Sequence, residues 1–135
     1  MMPERKVIDS WAVIAWLLDQ NAAPKVEAFL QEADAGKLQL LMSWINAGQV
    51  YYIVAKRIGR LAAEEFLHRL PSLPVRVVVP DENNIIAAAR LKGSRRLSYA
   101  DAFAAALAIR EGASVITGDR ELAELKDLLP VDWIG

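Results

Sequence analysis

The amino-acid sequence predicts a three-layer α/β sandwich, with a mainly parallel central sheet covered by helices on both faces. Three observations predict it. Brief β-branched runs alternate with longer stretches at helical spacing. The patches between them are short and polar, with no repeat, low-complexity tract or linker to divide the chain. Strands alternating with helices bury both faces of a sheet, and such sheets are parallel. At 135 residues the chain fits one domain, 1–135, with one sizeable core.

The elements follow in order. Lys6–Ile8 reads as a buried strand that ends at Asp9, and Ser10–Leu18 as a helix apolar on most sides. Pro24 opens a helix carrying Val26, Phe29, Leu30 and Ala33, which stops at Gly36. Leu38–Met42 is a second strand. Ser43 caps a long helix through Arg57, with Ile45, Gln49, Tyr52 and Ile53 on one face. Gly59 breaks it before a helix over Leu61–Leu70. Val75–Val79 is the strongest strand signal, closed by Pro80, and Asp81 caps a helix over Glu82–Leu91. Ser98 caps an alanine-rich helix to Arg110, ended by Gly112. Ser114–Ile116 is a strand, Thr117-Gly118-Asp119 leads into a short helix through Leu125, and Val131–Ile134 reads as a final edge strand.

Composition removes several kinds of chemistry. Hydrophobic residues make up 54% and charged residues 24%, which is globular. With no cysteine there is no disulfide, zinc-thiolate site or thiol nucleophile, and the count fits a reducing compartment. One histidine, His68, sits among Phe66, Leu67 and Leu70 as an ordinary helix residue. The longest apolar runs, Trp11–Leu18 and Ala102–Ile109, have eight residues each, against the ~20 that a membrane span needs. No secretory signal precedes the first apolar run, so the expectation is a cytoplasmic protein without a membrane partner. Net charge is −1, so no overall basic field attracts nucleic acid.

The acids carry the functional signal. In parallel sheets the binding crevice lies outside the carboxyl ends of the strands. Asp9 ends the first strand and Asp119 lies just past Ser114–Ile116. Two readings are open at each: a cap for the following helix, or a ligand. Asp101, in the first turn of the alanine-rich helix, is favoured there by the helix dipole. That reading accounts for one acid and leaves the other two. Three converging carboxylates would repel one another unless one kept its proton or a divalent cation joined them. Mg²⁺ takes carboxylate and water oxygens, and metal-assisted phosphodiester hydrolysis is the main chemistry such a site supports.

Four segments then carry a resemblance: V-I-D-S at 7–10, S-W-I-N-A-G-Q-V-Y-Y-I-V-A-K-R at 43–57, L-S-Y-A-D-A-F-A-A-A-L-A at 97–108 and T-G-D-R-E-L at 117–122. In this order and spacing they resemble the motifs of PIN domains, in particular toxins of the VapC type, over nearly the whole chain. The resemblance implies a Rossmann-like sandwich and an acidic site for one or two Mg²⁺ or Mn²⁺ ions. It places the site on Asp9, position 49, Asp101 and Asp119, with Asp9, Asp101 and Asp119 as metal ligands. Ser10 and Thr117 match accompanying hydroxyl positions, although each also reads as an element-end residue. Position 49 departs from the family pattern, with Gln49 where a Glu is expected.

The implied function is a Mg²⁺-dependent endoribonuclease, the toxin of a toxin–antitoxin pair, with RNA as substrate and a cognate antitoxin as partner. The alternative is a PIN fold whose nuclease is weakened by Gln49 and which serves RNA binding or assembly. A dehalogenase-type phosphatase fits worse, since it wants a second Asp where Trp11 stands. For phosphate contacts the sequence offers a basic loop, Lys92, Arg95 and Arg96, and a second group, Lys56, Arg57 and Arg60; a solvated surface is the plainer reading of both. Asn46, one turn before Gln49, reads either as a helper at the site or as an ordinary helix-face amide. Aromatic and aliphatic surplus on Ser10–Leu18 and Ser43–Arg57 predicts a homodimer.

Overall fold

A computed structural model describes residues 3–135. Five strands form one sheet in the order β3-β2-β1-β4-β5. They are β1 (Glu4–Ile8), β2 (Leu38–Ser43), β3 (Val75–Val78), β4 (Ser114–Thr117) and β5 (Val131–Trp133), and every pairing is parallel. The sheet is therefore wholly parallel, where the sequence predicted a mainly parallel one.

Strand alternation splits the core into two. Ile8, Leu40, Met42 and Ile116 face one layer, built from α1 (Ser10–Leu17), α2 (Ala23–Asp34), α3 (Trp44–Ile58) and α4 (Arg60–Arg69). Their neighbours Val7, Leu41 and Val115 face the other layer, built from α5 (Glu82–Ser94), α6 (Tyr99–Glu111) and α7 (Arg120–Ala123). Because successive side chains point to opposite faces, one apolar run serves both layers. The alanines of α6, buried from Ala102 to Ala108, let that helix lie close against the sheet. Gly112 ends it in the left-handed conformation at φ 60°, which glycine adopts without a Cβ penalty.

Strand β3 ends at Val78, one residue short of the expected Val79, and as an edge strand it is only half-buried, because it has a partner on one side only. Helix α5 does not stop at Leu91; it continues through Gly93 to Ser94, whose hydroxyl donates back to the Arg90 carbonyl at 2.9 Å. On α3 the buried face is Asn46, Ala47, Val50 and Val54, not the one carrying Ile45 and Tyr52, which are exposed. Most side chains of α1 are buried under neighbouring helices, which leaves the exposed apolar surplus to α3 and the start of α4.

The chain winds from β1 through β2 to β3 on one side, then crosses to β4 and β5 on the other. The order reverses between β1 and β4, and the crevice of a parallel sheet opens at such a switch point.

Candidate metal centre

Both acids predicted at strand ends lie at this switch point, and both also cap helices. Asp9 Oδ1 accepts from Ala12 N at 2.9 Å at the start of α1. Asp119 Oδ1 accepts from Glu121 N at 2.9 Å at the start of α7. The capping and site readings thus hold together, because a cap uses one carboxylate oxygen and leaves the other. Thr117, buried at the end of β4, accepts from Asp119 N through its hydroxyl at 2.9 Å and so fixes the turn. Asp101 enters from α6, where Ser98 Oγ accepts from its backbone N at 3.1 Å.

A cleft of about 270 Å³ opens above these residues, with Gln49, Asp101, Asp119, Glu121 and Arg57 in its walls. Asp101, Asp119 and Glu121 each offer a carboxylate oxygen, all within 4.8 Å of one another. The tightest group of acids is therefore not the one predicted. Glu121, which the sequence reading missed, is in it. Asp9 is outside it and fully buried, yet close enough for the charges of Asp101 and Asp119 to act on it. The signal for Glu121 was its spacing two residues after Asp119, across the first turn of α7.

Burial is the largest cause that pushes the Asp9 carboxyl up to about 7, with Asp101 and Asp119 adding to it. Thr117 and the Ala12 N–H oppose the rise, but no aligned donor reaches Asp9 Oδ2, which stays unpartnered. Asp101 is also raised, first by burial and then by Asp119, with which it is close enough to share a proton. Two further buried oxygens lack donors, Asn46 Oδ1 and Gln49 Oε1. Asn46 is held rigidly: its Nδ2 donates to Ser10 Oγ at 3.1 Å and to the Ala100 carbonyl at 3.0 Å, tying α3 to α1 and α6. Ser10 Oγ in turn donates to the Asn46 carbonyl at 3.2 Å.

Buried acceptors without donors are costly. Gln49 lines the cleft with the crowded carboxylates, and a hard cation would relieve both costs there at once. The donor set, carboxylate and amide oxygens with no thiol or imidazole, fits Mg²⁺ or Mn²⁺.

The predicted basic loop fares differently. Lys92 belongs to the last turn of α5 and does not line the cleft. Arg95 is clamped by Asp127 through two hydrogen bonds of 3.2 and 2.6 Å. Arg96 stays on the rim, its side chain 96% exposed and 4.0 Å from Glu121. The cation in the cleft wall is Arg57, two turns beyond Gln49 on α3.

A PIN-domain family profile matches residues 6–128. The chain belongs to the PIN-domain family. Solved structures with the same fold include VapC20 of Mycobacterium tuberculosis, a toxin that cleaves the sarcin–ricin loop. The TM-score is 0.74 at 18% identity, over 88% of this chain and 93% of that one. DNA-bound VapBC of Salmonella typhimurium superposes with a TM-score of 0.73 at 17% identity, over 98% and 99% of the two chains. PAE2754 of Pyrobaculum aerophilum gives 0.68 at 20% identity, over 97% and 90%. At such identities the likeness is one of fold. No curated protein matches the chain. The PIN fold predicted from the four motifs is thus borne out. No described helix is long and apolar enough to cross a membrane.

Proposed function

We propose that this PIN domain is a metal-dependent endoribonuclease and the toxin of a toxin–antitoxin pair. The observation that carries the reading is the cleft at the switch point. There Asp101 and Asp119 crowd together beside Gln49, whose buried oxygen lacks a donor, with no histidine or cysteine in the lining. Asp9, Asp101 and Asp119 would hold Mg²⁺ or Mn²⁺, which would supply neutralisation of phosphodiester charge and a water of lowered pKa for hydrolysis.

The protein's own residues do the rest. The capping bonds of Asp9 and Asp119 fix one oxygen of each carboxylate, so the other is presented with little freedom. Ser10 and Asn46 lock α1, α3 and α6 together around the cleft. Thr117 holds the turn that carries Asp119. Arg57 and Arg96 offer guanidinium groups to RNA phosphates at the wall and rim, which positions the strand without reading bases. Lys92 and Arg95 are not assigned this role.

The VapBC structure of Salmonella typhimurium supports a protein antitoxin as the partner. Trp44, Ile45, Tyr52, Ile58 and Leu61 are exposed on α3 and the start of α4, and we assign this patch to homodimer contact. The absence of cysteine fits activity in the cytoplasm.

One observation favours a second reading, a weakened nuclease serving RNA binding or assembly: Gln49 lines the cleft where the family pattern has Glu. A cleavage assay on a mixed RNA pool in EDTA, Mg²⁺ and Mn²⁺ separates the two. Metal-dependent cleavage that Asp101→Asn abolishes supports the enzyme, with Gln49→Glu faster than the parent. RNA binding without cleavage at any metal concentration supports the second reading.

A further inference from the structure

We propose that Glu121 is a metal ligand in this protein, supplying from α7 the negative charge that Gln49 fails to supply from α3. The proposal rests on the reading of the cleft as a metal centre and adds a residue to it.

The distances fit one ion. Ligand oxygens on an octahedral Mg²⁺ at 2.0–2.1 Å lie about 3 Å apart when adjacent and about 4 Å apart when opposite. The oxygens of Asp101, Asp119 and Glu121 fall within 4.8 Å of one another, so a small inward movement of side chains closes them on a common cation. Glu121 is held in place for this, because its backbone N–H bonds to Asp119 Oδ1 at 2.9 Å. Its side chain remains available. The side chain is 48% exposed, and its one ion-pair partner among the described residues, Arg96, stands at 4.0 Å on an exposed arm.

A second observation points to a ligand independently of the acid cluster. Asp9 is fully buried, and although Thr117 and the Ala12 N–H oppose the push of Asp101 and Asp119, no donor in hydrogen-bond geometry reaches its Oδ2. Gln49 lines the same cleft, and its buried Oε1 is also without a donor. An amide there preserves an acceptor oxygen but contributes no charge. Counting Asp9, Asp101, Asp119 and Glu121 returns the site to four carboxylates, with the fourth on the β4–α7 side of the cleft.

Mn²⁺ titration of the full chain by calorimetry, without RNA, tests this. Circular dichroism checks that each variant is folded. Glu121→Gln should weaken Mn²⁺ binding by about tenfold or more, and adding Gln49→Glu to it should restore most of the loss. Glu124→Gln, one turn along the same segment and outside the trio, should leave binding unchanged and so excludes a general charge effect. Parent-like binding by Glu121→Gln, alongside loss in Asp101→Asn, would overturn the assignment while keeping the metal centre. Weakening that Gln49→Glu cannot restore would overturn the compensation. No Mn²⁺ binding by either the parent or Gln49→Glu would instead remove the metal centre itself.

Discussion

Without divalent ions this protein should lose stability as the pH rises from about 5 to about 8, through titration at Asp9. Burial and two neighbouring carboxylates hold Asp9 at about 7, against an ordinary 3.8. Between those values the folded chain keeps a proton that the unfolded chain has released. The resulting stability is fully present below the unfolded value and is lost as pH rises through the folded one. From about pH 5 to about pH 8 this single group costs about 2–3 kcal/mol, or roughly 8–13 °C in Tm for a chain of this size. Asp101, raised by burial and by Asp119, acts in the same direction. Asp9→Asn removes the titration but keeps the cap, since Asn serves an N-terminus as well as Asp does. Thermal melts in EDTA across this range should therefore fall steeply for the parent and less so for Asp9→Asn. Added Mn²⁺ should oppose the fall, because a metal binds the ionised carboxylates. A parent Tm that is level or rising in EDTA would refute the reasoning, as would an equal slope in Asp9→Asn.

Three further outcomes are expected. In an Asp101→Asn background that cannot cleave, Arg57→Ala should weaken RNA binding for all sequences alike and reduce its salt dependence, as read by fluorescence anisotropy. Arg95→Ala should not, because Asp127 already occupies that guanidinium. Gly118→Ala should cost about 1–3 kcal/mol and alter tryptophan fluorescence, since a Cβ there would collide with the Trp11 indole. Sedimentation should show a dimer at micromolar concentration, and replacing Tyr52 and Leu61 by serine should shift it towards monomer; Leu61 is 83% exposed, and Tyr52 shares the patch. A parent that sediments as a monomer would remove the role assigned to that patch.

What the sequence determined by itself was local. Caps at Asp9, Ser43, Asp81, Ser98 and Asp119 are all found, because a cap joins a side chain to a backbone N–H two or three residues on. The strands were legible as β-branched runs, and the four motifs together identified the family. Tertiary structure decided what depends on distance between elements. The position of β3 at the sheet edge and the buried face of α3 follow from which neighbours each meets, and periodicity does not record that. The same holds for the charges. Arg95 resembles a phosphate contact until Asp127, 32 residues later, is seen to hold it, whereas Arg57 gains its place from the helix that carries Gln49. Glu121 stood beside Asp119 in the sequence throughout. Only the approach of α6 to the start of α7 brings it within reach of Asp101, because carboxylates interact through space and not along the chain.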